Sequence, residues 1–506
     1  MAGSARATQI VFLMVNICHH RALLASTFLL APSLAPAQSD QWAAPRAAIK
    51  QFMADSGLVS ASVAVARHGQ IVWEEAFGYA DRDKKVRATA NTMYSLASIS
   101  KPFTASGLMI LVERGKVDLD RPANDYLGAG KLTGLAGDAT GATVRRVLSH
   151  TAGLPLHYQF IYANEPYQRS PNDEAISRYG ILVYPPGERF EYSNLGYGII
   201  DEIVSRVSGM SYPEFMRDNV FLPLGLTHTR VVIAPPTEPD LVQRYDRQGH
   251  LLPFYDFDHR GASAIYSSAH DLVRFGMYNL GDHVPGQRAI LQQATLDIMH
   301  RPVAPADYGL GWIIDSLPGL RQISHTGGMP GVQTALSLFP DEDVAIVVLV
   351  NMYCDITPIY LAVEQAILPR YADATRRQAA DNAAKAAAAA KRTTPASSMV
   401  GEWAGTVRTW QSTIPMSFVV GANGAIRAHV ADEADSPGTE VQWSDSSVVA
   451  RIAGTMPTSD AKRWPHSILL QLRLRNGKLT GMATAQTTAD PVHFALTSYV
   501  ALDKVK

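Results

Sequence analysis

Met93-Tyr94-Ser95-Leu96-Ala97-Ser98-Ile99-Ser100-Lys101-Pro102, continuing to Arg114-Gly115, reads as a short extended run followed by a helix from about Ser98 to Arg114. Gly115 stops the helix, as glycine commonly does. Ser98 then lies at the helix N-terminus and Lys101 one turn further on, where residues three apart are neighbours. The free N–H groups of a first helical turn favour negative charge, whether alkoxide or oxyanion. A serine hydroxyl is a weak nucleophile until a base takes its proton. A buried lysine can do so once its pKa falls from about 10.4 towards neutrality. Ser-x-x-Lys is common by chance, and Ser459-Asp460-Ala461-Lys462 repeats it without opening a helix. The copy at Ser98 acquires meaning through partners elsewhere in the chain.

Such chemistry needs a group to hand a proton to the leaving atom, N–H donors for the oxyanion, and a wall for the substrate. Tyr192-Ser193-Asn194 supplies the first, because Tyr192 and Asn194 project to one side of an extended segment. A tyrosine beside a lysine ammonium has its anion stabilised, so Tyr192 is expected to act as base and then acid. Tyr162-Ala163-Asn164 competes, but it runs into the polar loop Asn164-Glu165-Pro166. His325-Thr326-Gly327 ends an expected strand and supplies the wall, with Gly327 and Gly328 allowing close approach to the backbone. His150, in Ser149-His150-Thr151-Ala152-Gly153, is read as hydrogen-bonding a loop rather than as catalytic.

The flanking elements follow from periodicity. Ala44–Ala54 is an amphipathic helix, and Ser60–Arg67 with Gln70–Phe77 is a hairpin turning at His68-Gly69. Ser211 with Glu214, and Ser268 with Asp271, start helices by capping. Strands return from Tyr308, at Arg321–His325, Gln333–Phe339 and Val344–Asn351, before a final helix over Pro358–Arg370. Strands therefore flank a helical insertion at both ends. The expected assembly is one antiparallel sheet with helices on its faces and a helical subdomain, an α/β plus α fold. Residues 373–398 are alanine-rich and read as a helical or frayed linker. Residues 399–506 are strand-rich, with hairpin turns at Asn423-Gly424 and Asn476-Gly477, and suggest a small all-β barrel.

With 506 residues the chain is too long for one core. Lys plus Arg (45) balances Asp plus Glu (46), so no nucleic-acid partner is expected. Zinc spacings and a Gly-rich phosphate loop are missing, so neither metal nor cofactor is expected. Cys354 stands alone after the leader cysteine, Cys18, which leaves no internal disulfide in a processed chain. Residues 1–37 read as a secretory signal: His19-His20-Arg21, an apolar run from Ala22 to Leu30, and Ala35-Pro36-Ala37 as cleavage site. The expectation is a periplasmic or secreted protein with no membrane span after processing, an uncleaved anchor being the alternative. Translation from Met14 would leave a tidier signal.

Ser98-x-x-Lys101, Tyr192-Ser193-Asn194 and His325-Thr326-Gly327, in that order, resemble the serine β-lactamase/penicillin-binding-protein superfamily. The similarity is to the branch of class C β-lactamases, D,D-carboxypeptidases, D-aminopeptidases and esterases, over about Trp42 to Arg370. Leu148-Ser149-His150-Thr151-Ala152-Gly153, Pro223-Leu224-Gly225-Leu226 and Tyr308-Gly309-Leu310-Gly311-Trp312 strengthen it. The resemblance implies a β-lactamase/transpeptidase-like domain over residues 38–372. It makes Ser98 the acylated nucleophile, Lys101 its proton acceptor and Tyr192 the general base and acid. Asn194, His325, Thr326 and Gly327 would bind substrate, and the N–H groups of Ser98 and Gly328 would form the oxyanion hole. β-Lactamases of this type usually carry lysine where this chain has His325, and neutral histidine attracts a carboxylate weakly. Peptidase or esterase work on a small molecule or short peptide is therefore expected over antibiotic hydrolysis. Cell-wall fragments are the expected partners of a catalytically silent alternative. The C-terminal domain resembles lipocalin-like accessory barrels; a loop from it reaching the active site is one reading, and a docking or structural role is the favoured one.

Overall fold

Val344–Val350 is the densest apolar run of the chain, and all seven of its residues are buried. A strand shows alternate residues to opposite faces, so a continuous run requires both faces to be covered. Ala345, Val347 and Leu349 pack with Phe103, Leu272 and Phe275, whereas Ile346, Val348 and Val350 pack with Ile49, Ile359 and Val363. Helices Ala43–Ser56 and Thr357–Ile367 cover the second face, and helix Ala269–Leu280 covers the first. The computed structural model describes residues 40–505 apart from 236–239, 283, 318–319, 391–393, 432 and 445. The signal-segment reading lies outside the described residues.

The strand order is Ile313–Leu317, Leu320–Met329, Val332–Phe339, Val344–Val350, Ser60–Arg67, Gln70–Asp81, Val86–Arg87, antiparallel throughout. Strands from the two ends of the domain thus join through Ser60–Arg67 and Val344–Val350, with Ala61 opposite Val350. The intervening residues carry the helices, among them Ser100–Glu113 and Asn194–Ser208. Ser193 and Ser268 cap theirs, and Ser211 with Glu214 forms a capping box.

Beyond it lies a second antiparallel sheet. Its strands run Ser436–Pro437, Ile426–Val430, Thr413–Val420, Gly401–Arg408, Phe494–Lys504, Lys478–Thr487, His466–Arg475, Ser447–Ile452, Thr439–Trp443. The first and last strands of this path are separated in sequence by Gly438 alone, so the sheet has curled until its edges meet. It is barrel-like and all-β. It also pairs with the first domain: Phe494 is registered with Gln159 of strand Tyr158–Tyr162. From Trp42 onward the chain packs as one compact unit. No helix among the described residues is long and apolar enough to cross a membrane.

Three local expectations are corrected. The helix expected from Ser98 begins as a 3-10 turn, Ala97–Ile99, and becomes α-helical at Ser100. Tyr308–Trp312 is irregular, and the strand begins at Ile313, because positive-φ Gly311 turns the chain against Lys101 and Pro102. The final helix stops at Ile367, and a new one, Pro369–Ala390, takes in most of the alanine-rich segment. Pro369 lacks the N–H needed to continue the preceding helix but fits the start of the next.

Candidate active site

Ala97 has φ +48°, a left-handed conformation that costs a non-glycine residue about 1 kcal/mol. It turns the chain between the buried strand Tyr94–Ser95 and the helix. Within this turn Ser98 alone keeps some exposure, while Ala97, Ile99 and Ser100 are buried. Strand Leu320–Met329 is pressed against the same turn. A Cβ on Gly327 would lie 2.2 Å from the Leu96 carbonyl and 2.4 Å from Thr334 Oγ1. Thr334 donates its hydroxyl to that Leu96 carbonyl at 2.9 Å. Glycine is required here for close approach of two backbones.

Lys101 is wholly buried. Its Nζ donates to Ser98 Oγ at 2.9 Å, to Asn194 Oδ1 at 2.9 Å and to the Ala262 carbonyl at 3.4 Å. No carboxylate pairs with it among the described residues, and burial pushes its pKa well below the usual lysine value. Its ammonium end lies 4.8 Å from the centre of the Tyr192 ring and 5.7 Å from that of Tyr197. Tyr192 hydrogen-bonds Ser98, but burial outweighs that bond and raises the phenol above its usual value. The neutral forms of both groups are favoured. A neutral Lys101 can accept a proton and a neutral Tyr192 can give one, so the pair holds both functions that base and acid work requires.

His325 is the first residue of the expected binding wall. Its side chain is buried; Nδ1–H donates to the Thr326 carbonyl at 2.7 Å, and Nε2 accepts from the Tyr308 hydroxyl at 3.0 Å. Burial and the nearby Lys101 push its pKa down to about 3. Strand alternation turns it inward and leaves Thr326 and Gly328 outward. His325 therefore lies behind the site; Gly328 lines the cavity, whereas Thr326 is exposed and does not line it. His150 accepts the Ser193 N–H at 3.1 Å through Nδ1, and its ring lies 4.4 Å from that of Tyr192. It hydrogen-bonds the loop, as the sequence reading held, and the same contact fixes Tyr192.

Ser98, Tyr192, Asn194 and Gly328 line one cavity of about 560 Å³. The rest of the wall includes Tyr158 and Phe160, Asp246 and Arg247, and Thr487–Asp490 with Val492 from the C-terminal domain. A loop of the C-terminal domain thus lines the cleft, the less favoured of the two readings of that domain. His259 also lines it, beside a buried Asp258 and His157. Sequence reasoning missed this group; Asp258-His259-Arg260 is its one visible signal, and His157 lies too far along the chain to be paired by inspection. Among the described residues no cluster could hold a metal ion.

A buried lysine bonded to a partly exposed serine, with a tyrosine on the same hydroxyl, defines a serine-hydrolase geometry. A protein-family model described as Beta-lactamase matches residues 45–353, and the chain belongs to that family of serine hydrolases. Penicillin-binding protein 4* of Bacillus subtilis is 30% identical over 341 residues, 61% of this chain and 70% of that protein. A class C β-lactamase structure has a TM-score of 0.56 at 20% identity, covering 65% of this chain and 96% of its own. SurE with D-Leu has a TM-score of 0.57 at 20% identity, covering 92% and 99%. The chain is thus related to penicillin-binding proteins and class C β-lactamases, and its fold likeness to SurE extends over the second sheet.

Proposed function

We propose that this protein is an exported acyl-serine hydrolase acting on a small ester or peptide-like amide. The observation that carries the reading is Lys101 Nζ at 2.9 Å from Ser98 Oγ in a fully buried position without a carboxylate. Neutral Lys101 takes the Ser98 proton as Oγ bonds to the substrate carbonyl. Tyr192 gives its proton to the leaving atom and recovers one from Lys101. Asn194 holds Lys101 and faces the substrate amide, and the N–H groups of Ser98 and Gly328 receive the oxyanion. The cavity volume suits a short peptide or small ester. The binding of D-Leu by SurE, a fold neighbour, is consistent with a D-amino-acid substrate. Export rests on the signal-like residues 1–37.

A β-lactamase reading has the class C fold likeness in its favour and neutral, inward-facing His325 against it. The test is the intact mass of the protein after a fluorophosphonate probe, with Lys101→Met alongside. One adduct on Ser98, lost in the variant, is the expected result. A folded protein that takes no adduct would overturn the reading in favour of a cell-wall-fragment binding protein. Rapid nitrocefin turnover would instead revive the β-lactamase.

A further inference from the structure

An extended chain shows alternate side chains to one face, and Leu156, Tyr158 and Phe160 all line the cavity that holds Ser98. The Tyr158 and Phe160 rings stack with 5.4 Å between their centres. Leu252, Met329 and Val492 line the same cavity. Phe160 and Met329 share a buried apolar cluster with Ala97, the residue before the nucleophile, and Tyr158 and Val492 pack on that cluster. The wall is also stiff. Strand Tyr158–Tyr162 is paired with Phe494 and Ala495 on one side and with Tyr255–Phe257 on the other. The Leu156 carbonyl accepts the Thr497 hydroxyl at 2.8 Å.

The charged side chains that line the cavity are exposed or already satisfied. Asp246 is occupied by the His250 ring and by the Gln248 and His250 N–H groups. Arg247 is exposed, lies 5.2 Å from the centre of the Tyr353 ring and donates to the Tyr353 carbonyl at 3.2 Å. Asp490 is exposed on its loop. The apolar wall is also set apart from the proton donor to the leaving atom. Tyr192 packs against His150, and His150 against Phe190, Tyr197 and Tyr308, none of which lines the cavity. The wall adjoins Ser98 through Ala97 instead. We propose that this wall is the acyl pocket, and that the substrate carries a branched or aromatic apolar group on the carbonyl that Ser98 attacks.

The proposal rests on the reading of Ser98 as nucleophile and narrows the substrate class of that site. An acetyl group is too short to reach across such a wall and leaves Tyr158 and Phe160 in water. A larger apolar group removes that surface from water together with its own. Because the strand is held on both edges, little ordering opposes the contact. Stacked rings present flat faces and edges, which suit a second ring or a branched chain. A charged acyl group would gain nothing from the wall and would lose solvation against it.

The experiment is a series of p-nitrophenyl esters that share one leaving group and differ in the acyl part, run on the full chain. Acetate, isovalerate, phenylpropanoate and hemiglutarate are compared, each rate divided by its hydroxide-catalysed rate. We expect kcat/KM for isovalerate and phenylpropanoate to exceed that for acetate by at least about tenfold, with no gain for hemiglutarate. In Tyr158→Ala the ratio of phenylpropanoate to acetate should fall by about 3- to 10-fold. Val492→Ala is read in the same way and serves if Tyr158→Ala does not fold. A flat series, a preference for acetate or an unchanged ratio in the folded variant would overturn the proposal. So would a preference for hemiglutarate, which would make Arg247 the recognising group. A parent protein that turns over no ester and takes no fluorophosphonate adduct would overturn the nucleophile reading as well, a failure seen before any two acyl groups are compared.

Discussion

Lys101 shows how burial alone changes what a residue can do. An exposed lysine is an ammonium at neutral pH; in a dry site with only neutral oxygen partners the charged form loses its solvation. The acylation rate should therefore climb with pH through the depressed Lys101 pKa and level off as the amine forms. Stopped-flow labelling with the fluorophosphonate across pH checks this. Lys101→Met should flatten the profile and lower the rate by about 10²–10⁴-fold. His325 and His150 are both pushed towards neutrality, chiefly by burial, and act on stability instead. Each binds its proton less readily folded than unfolded, so stability falls as pH drops below about 6.5, by up to about 1.4 kcal/mol per unit for each group. For His325 that loss continues down to about 3. Urea titrations at stepped pH should show the slope, and His325→Gln should reduce it.

The nucleophile turn and the strand that faces it are held together by what is missing between them. Gly327→Ala would force its methyl against the Leu96 carbonyl, which belongs to the backbone and cannot swing aside. We expect a loss of about 1–3 kcal/mol and a fall in kcat, because the turn carrying Ser98 must move. Gly328→Ala is the control. Its Cβ would meet Gln333 Oε1 and the Tyr353 ring at 3.0 Å, and both are side chains that can shift. Stability there should change by less than about 0.5 kcal/mol. Thermal melts of the two variants separate the cases, and the kinetics of Gly327→Ala report the movement of the turn. Equal losses in both would mean that the strand, not the turn, sets the geometry.

The second sheet is tied to the hydrolase half through a charge with several partners. Glu165 is mostly buried and accepts from Arg463 at 3.1 Å, Trp464 Nε1 at 3.3 Å and His493 Nδ1 at 2.9 Å. The Tyr162 hydroxyl donates to the Val492 carbonyl at 3.1 Å, and the Phe160 N–H to that of His493 at 2.7 Å. These contacts hold Thr487–Val492 against the cleft. Glu165→Gln leaves Arg463 without its countercharge, and we expect a loss of about 3 kcal/mol. KM should rise with kcat less affected, since one wall loosens while Ser98 and Lys101 stay in place. Denaturant curves and a KM-against-kcat comparison test this. An unchanged KM would mean that the wall does not touch the substrate.

Much of this was legible along the chain because its causes are local. Ser98 and Lys101 meet within one helical turn, Ser193 and Ser268 cap the helices that follow them, and His68-Gly69 turns a hairpin, all by rules that span a few residues. The motif order carried the family. Folding decided the rest, because burial and proximity come from contacts between distant segments. It turned His325 inward, dried the Lys101 site, brought His157 to Asp258 across 101 positions, and set a loop of the last sheet beside Ser98. A charge state depends on the water that remains around a group, and that is settled only once the chain has closed over it.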